Sequence, residues 1–206
     1  NQKSDSMTKF LLIRHATTDS VGNTLSGRMP GVSLNDAGRL QAQNLAERLA
    51  GVRLAALYSS PLQRAVETAL PICRVLNIDH QTSEDFMEIE FGEWTGLAFK
   101  KLEEQARFQQ FNKFRSNTRI PGGESMPEAQ LRMIKGLEYL CSRHQNETVA
   151  IVGHSDMIKA AVAYYAGIHL DLFHRIEISP ASISIIEIFD ETARILLVND
   201  TGDIKS

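Results

Sequence analysis

Short apolar runs alternate along the chain with longer stretches in which apolar residues recur at helical spacing. Residues 8–13 and 148–152 are near-continuous apolar segments of buried-strand length. Residues 54–58 and a short stretch at 79–82 predict two further strands. Between the first two strands the pattern predicts a helix over 36–50, with Asn35 as its cap, Gly51 as its stop, and Ala37, Leu40, Leu45 and Leu49 marking the spacing. Ser60, Pro61 and Gln63 read as the cap, first turn and capping-box partner of a second helix, which Pro71 should bend or interrupt. Residues 97–115 are polar but helical in pattern and end before Pro121-Gly122-Gly123. Ser125 and Glu128 form a second capping box, opening a helix to about residue 143 whose buried face holds Met126, Ala129, Met133, Leu137 and Leu140. One more helix runs to about residue 166, and a strand pair at 182–189 and 194–198 closes the chain, with its turn near Asp190 and Glu191.

Strands alternating with helices predict a three-layer α/β sandwich around a mostly parallel central sheet. One domain is expected over residues 7–206, with 90–125 as a small helical cap, and residues 1–6 as a polar extension. In such sheets ligands bind beyond the carboxyl ends of the strands. That rule singles out His15, which ends the first strand, and His154, which follows the strand at 148–152. If those strands are neighbours, the imidazoles face each other. Arg14 adjoins one of them, and Arg64 opens a helix after another strand end. Two guanidiniums, two imidazoles and helix N-termini suit phosphate, whose oxygens accept bidentate bonds from planar guanidinium groups. A neutral imidazole is a competent nucleophile toward phosphorus. Glu88, beside apolar residues, would supply a proton to the leaving oxygen once burial raises its pKa.

Composition changes this picture little. The 206 residues carry a net charge of -3 and 43% hydrophobic content, without sign of nucleic-acid or membrane-surface binding. No apolar run approaches the roughly 18 residues of a membrane span. Residues 1–6 are polar, and no apolar run of a signal peptide follows. Cys73 and Cys141 lie far apart in predicted helices and read as buried free thiols, which fits a cytoplasmic location. The six histidines contain no H-E-x-x-H pattern, so no metal site is expected, and there is no glycine-rich nucleotide loop ending in Lys-Ser or Lys-Thr.

Five ordered motifs carry a resemblance. Arg14-His15-Ala16-Thr17-Thr18 after an apolar strand resembles the signature of the histidine phosphatase superfamily, the phosphoglycerate mutase-like fold. Ser59-Ser60-Pro61-Leu62-Gln63-Arg64-Ala65, the stretch from Met87 to Gly96, Pro121-Gly122-Gly123-Glu124-Ser125 and Val152-Gly153-His154-Ser155 are similar to the motifs that follow in that family. The resemblance implies a metal-independent phosphomonoester hydrolase of the phosphatase branch, acting on a small phosphorylated metabolite without a cofactor. It implies that His15 is phosphorylated, that Arg14, Arg64 and His154 hold the phosphoryl group, and that Glu88 is the proton donor. By the same resemblance Thr17 lies near the phosphate and Ser155 offers a backbone amide. Asn23, Arg28 and Glu124 are weaker substrate-contact candidates. The expected partner is a small phosphorylated substrate, not nucleic acid or membrane, with a homodimer left open.

One departure concerns Ala16 and Thr17, where the family usually has glycine and often glutamate. Alanine is tolerated there if φ stays negative, and the missing carboxylate argues mildly against a mutase. The alternatives are a cofactor-dependent phosphoglycerate mutase and a non-catalytic binder of phosphorylated ligands.

Overall fold

The computed structural model describes residues 6–202. Residues 1–5 of the expected N-terminal extension lie outside them. Among the described residues six strands form one sheet: β1 (Met7–Arg14), β2 (Ala56–Ser59), β3 (His80–Thr82), β4 (Thr148–Gly153), β5 (Ile183–Phe189) and β6 (Ala193–Asp200). Their spatial order is β3-β2-β4-β1-β5-β6. The first four are mutually parallel, while β5 runs antiparallel between β1 and β6. The mostly parallel sheet of the sequence reading is what the chain builds.

Helices cover both faces. Helices α1 (Asp36–Leu49) and α2 (Gln63–Leu76) pack on one side, and α5 (Met126–Arg143) and α6 (Ser155–Ala166) on the other. The alternation of β1 dictates this. Leu11 and Ile13 face the first layer with Ala42, Leu45, Ala65 and Ala69, whereas Phe10 and Leu12 face the second with Met133, Leu137 and Ile158. Each fully buried aliphatic or aromatic side chain contributes about 1.5–3 kcal/mol, so both faces of the central strands are committed to the core.

The predicted cap is two short helices, α3 (Phe99–Glu103) and α4 (Ala106–Lys113). Its aromatics do not make a separate core. Trp94 meets Phe108 and Phe111 edge-on at 5.2 and 5.5 Å, and all three belong to the cluster that includes α5 and α6.

Local signals held unevenly. Asn35 caps α1 by accepting from Gly38 N, and Ser125 and Glu128 form the expected capping box on α5. The second helix differs. It starts at Gln63, with Leu62 as cap and no side-chain capping bond. Ser60 lies ahead of that cap, and its Oγ accepts both from Leu62 N at 3.3 Å and from His154 Nε2 at 2.9 Å. The helix also continues through Pro71, whose ring removes one backbone bond without ending it. Cys73 is buried and Cys141 only partly so; both are free thiols.

Candidate active site

The carboxyl ends of β1 and β4 lie side by side, with Arg14 in register with Gly153. His15 and His154, each one residue past that register, are therefore brought together: their ring centroids are 5.3 Å apart. Both are buried. His15 Nδ1 lies 2.8 Å from the Ala16 carbonyl, which can only accept, so Nδ1 carries the proton and Nε2 holds the lone pair. Arg64 Nε donates to that lone pair at 3.3 Å. Ala16 keeps a negative φ, and its N–H donates to Thr68 Oγ1 at 3.0 Å, so the methyl replacing glycine's hydrogen is accommodated.

Arg64, 3% exposed, organises the centre. Its Nη2 donates to Gly27 O at 2.7 Å and to His154 Nδ1 at 3.3 Å. Since guanidinium only donates, His154 carries its proton on Nε2 and gives it to Ser60 Oγ at 2.9 Å. Arg14 Nη1 donates to Ile178 O at 2.6 Å. Arg14 Nε and Arg64 Nη1 are buried donors with no hydrogen-bond partner among the described residues. Buried donors of this kind are costly unless an acceptor meets them. Both side chains line a cavity of about 490 Å³ together with His15, Thr18, Glu88 and Ser155.

Electrostatics follow from burial beside these cations. The His15 imidazole is pushed down to about 3, mainly by desolvation and then by Arg64. His154 is lowered well below the ordinary range for the same reasons. Glu88 is pushed up to about 7, first by burial and then by the negative charge of Asp156, against the pull of Arg64 and Arg14. Near neutral pH the centre thus holds two neutral imidazoles, two guanidiniums and a carboxyl group poised between its protonation states.

A framework of arginines fixes Glu88 from outside the cavity. Arg28 Nε donates to the Glu88 carbonyl at 2.8 Å. Arg132 Nη1 collects the carbonyls of Glu84, Asp85 and Met87 at 3.2, 2.8 and 2.9 Å. Glu124 bridges the two arginines at 3.1 Å and accepts from Glu90 N at 2.9 Å. Behind it, the two glycine-bearing motifs meet backbone to backbone. A Cβ on Gly92 would lie 2.2 Å from Pro121 O, and one on Gly123 2.2 Å from Glu90 O. Those glycines allow the close approach that sets the Glu88 segment.

The structure therefore gathers Arg14, His15, Arg64, Glu88, His154 and Ser155, and separates four other candidates from the cavity. Thr17 points away: its N–H donates to Gln41 Oε1 at 2.9 Å, and its carbonyl receives Asn35 N, while Thr18 lines the cavity in its place. Asn23 is exposed and donates to Asp19 O at 3.2 Å. Arg28, like Glu124, is spent on the framework. Residues the sequence reading passed over include Ser60, taken for a helix cap, and Arg115, Asp156 and His174, which line the cavity. Asp156 stands two residues beyond His154, so its place at the start of α6 was legible, but nothing in the sequence marked Arg115 as its partner. Among the described residues no group of three or more His, Cys, Asp or Glu side chains is placed to hold a metal ion, and no helix is long and apolar enough to cross a membrane.

Comparison with known proteins agrees with this geometry. The chain is 32% identical over 200 residues to Phosphoserine phosphatase 1 of Hydrogenobacter thermophilus, covering 95% of this chain and 93% of that one. It is 34% identical over 201 residues to a bifunctional protein of Mycobacterium tuberculosis, where it covers 95% of itself and spans 54%, about half, of the relative's length. Among solved structures, Bacillus stearothermophilus YhfR superposes with a TM-score of 0.88 at 28% identity, covering 94% of this chain and 97% of that one. The phosphoserine phosphatase of Entamoeba histolytica, solved with 3-phosphoglyceric acid, gives 0.83 at 25%, covering 94% and 97%. The family model described as Histidine phosphatase superfamily (branch 1) matches residues 10–201, and the chain belongs to that family.

Proposed function

We propose that this chain hydrolyses small phosphomonoesters through a phosphohistidine on His15. The observation that carries the reading is the meeting of a neutral His15 Nε2 with two buried guanidinium donors, Arg14 Nε and Arg64 Nη1, in one cavity. His15 Nε2 attacks phosphorus while the bond from phosphorus to the ester oxygen breaks. Glu88 gives its proton to that departing oxygen. The Ala16 carbonyl holds Nδ1–H and so keeps the nucleophilic nitrogen aimed at the cavity. Water then attacks the phosphohistidine, its proton passes to the Glu88 carboxylate, and inorganic phosphate leaves with His15 restored. Arg14 and Arg64 stabilise the charge spread over the phosphoryl oxygens in both steps, His154 holds the Arg64 guanidinium in place through Nδ1, and Ser155 offers the N–H of a helix start. No step draws on a metal ion or cofactor.

In this reading residues 7–206 act as one domain with 90–125 as its lid, in a cytoplasmic setting that suits the two free thiols. The substrates to try first are O-phosphoserine and 3-phosphoglycerate, phosphorylated small molecules of the kind for which relatives are named. The test is release of inorganic phosphate with and without chelator, alongside His15→Ala. Turnover that survives chelation and disappears in the variant supports the proposal. Turnover retained by the variant refutes it. Interconversion of 2- and 3-phosphoglycerate separates hydrolysis from the mutase alternative.

A further inference from the structure

The edge of the sheet reaches the reacting centre through one peptide group. Arg14 Nη1 donates to the Ile178 carbonyl at 2.6 Å, and Ser155 Oγ donates to the same oxygen at 3.4 Å. The N–H of that peptide belongs to Ser179, and it donates to Asn199 Oδ1 at 2.5 Å. The Ile178–Ser179 peptide is thus held at both ends, by a guanidinium of the centre and by a side chain of β6, the outermost strand. Because a peptide is planar, its two ends turn together. Asn199 sets where the carbonyl points, and the carbonyl sets the plane of the guanidinium. A guanidinium fixed in its plane aims its remaining N–H groups. One of these is Arg14 Nε, buried without a hydrogen-bond partner among the described residues.

An edge strand as such does not call for this contact, and the three residues before Asn199, Leu196, Leu197 and Val198, are exposed. Asn199 departs from them for a local reason. Two steps along β5, from Ile183 to Ile185, face three along β6, from Asp200 to Leu197. The extra residue makes a bulge, a device that re-aims a side chain. Asn199 sits within it at a φ of 59°, a left-handed conformation that asparagine adopts more readily than most residues. Its N–H is given to Ser184 Oγ at 3.1 Å, which anchors the residue and leaves its amide oxygen to reach Ser179. The loop it grips also holds the Arg14 backbone: Arg14 N donates to Ser182 O at 3.2 Å, and Ala181 N to Arg14 O at 3.1 Å. With the backbone fixed, the peptide held by Asn199 governs the freedom left to the guanidinium. We infer that Asn199 is a positioning residue for phosphate, acting through the Ile178–Ser179 peptide on Arg14. The inference rests on the phosphatase reading above, in which Arg14 meets the phosphoryl oxygens, and adds to it a residue remote from the reacting atoms.

Calorimetric titration with inorganic phosphate tests it in the unmodified chain, Asn199→Gly, Asn199→Asp, Arg14→Met and the double variant of Arg14→Met with Asn199→Gly. Asn199→Gly removes the amide and suits the positive φ. Its Kd should rise about tenfold, the effect of loosening one hydrogen bond to a charged group. Asn199→Asp keeps an acceptor oxygen for Ser179 N and should stay within about twofold of the unmodified chain. The Arg14→Met background separates positioning from a merely structural role. If Asn199 acts through Arg14, adding Asn199→Gly there should raise Kd by less than about twofold, whereas independent effects would multiply. A dissociation constant does not depend on how much of a preparation is folded, so a destabilised variant does not imitate the result. The inference is overturned, with the phosphatase reading intact, by any of three results: Asn199→Gly within about twofold of the unmodified chain, Asn199→Asp as weak as Asn199→Gly, or a loss in the Arg14→Met background as large as in the unmodified chain. An unmodified chain that binds no phosphate at millimolar concentration overturns the phosphatase reading, and the inference falls with it.

Discussion

Glu88 is held in an environment that makes it a good acid and a poor structural residue, and Glu88→Gln separates the two. In the folded chain its pKa is about 7 against an ordinary 4.5. Between those values the folded state binds more protons than the unfolded state, so this group's contribution to stability falls as pH rises from about 4.5 to about 7 and stays low above that. At 1.36 kcal/mol per unit, the cost of ionising Glu88 in place approaches about 3 kcal/mol. The amide keeps the carboxyl group's shape and still accepts from Ile89 N, the 2.9 Å bond that Oε1 makes now. The variant should therefore match the parent in stability at pH 4 and exceed it at pH 8, by up to about 3 kcal/mol. Urea denaturation of both proteins at the two pH values measures this. Turnover moves the other way. An alkyl phosphate should lose about 10²–10⁴-fold in kcat, whereas p-nitrophenyl phosphate, whose leaving group needs no proton, should lose far less. A variant less stable than the parent at pH 8, or equally impaired on both esters, would falsify the assignment of Glu88 as a desolvated proton donor.

Two further substitutions probe the frame around the site. Gly38→Ala, in the first turn of α1, would ordinarily gain about 1 kcal/mol of helix propensity. Here the new Cβ would lie 2.0 Å from Thr17 O, so destabilisation of about 1–3 kcal/mol is expected, with loss of activity as the His15 loop shifts; thermal unfolding and turnover check both. Arg132→Met removes the donor that gathers three carbonyls of the loop ahead of Glu88. It should lower kcat on alkyl phosphates more than on p-nitrophenyl phosphate, and equal losses on the two would show that Arg132 does not act through Glu88.

The centre of the sheet was legible because β1, β2 and β4 are buried on both faces and read as near-unbroken apolar runs. The centre was legible because Arg14-His15 and Gly153-His154 each sit where such a run stops, and parallel pairing of β1 with β4 then brings the two rings together. What could not be read are choices made by contacts distant in sequence. Ser60 reads locally as a helix cap and its Oγ does accept from Leu62 N, but His154, 94 residues away, donates to it as well and ties it to the site. Thr17 follows His15 closely enough to suggest a phosphate contact, but Gln41 of α1 binds its N–H and Thr18 lines the cavity. Arg28 and Glu124 read as weaker substrate-contact candidates, and only the fold shows that they bind each other and the backbone of Glu88 and Glu90. Arg115 carried no motif at all. Its place depends on how the cap helices meet α6, which no periodicity encodes.

The tautomer of His15 leads to one more expectation. With Nδ1–H given to Ala16 O, the lone pair of Nε2 accepts the 3.3 Å bond from Arg64 Nε, and an anion that draws that guanidinium to itself leaves the lone pair facing negative charge. A bound dianion will therefore draw a proton onto Nε2. At about 4 Å and an effective dielectric near 20, one unit charge is worth about 4 kcal/mol, or about three pKa units, and a dianion about twice that. Starting from about 3, the imidazole should rise past 6. Sulfate is a suitable probe because it is tetrahedral and does not itself titrate in this range. Its binding at pH 6, where Glu88 is already mostly protonated, should take up close to one proton, seen as a calorimetric heat that changes with the ionisation enthalpy of the buffer. His15→Ala should abolish that dependence. Sulfate binding with a heat indifferent to buffer would mean that Nε2 does not face the anion, and the in-line attack on phosphorus would lose its geometric basis.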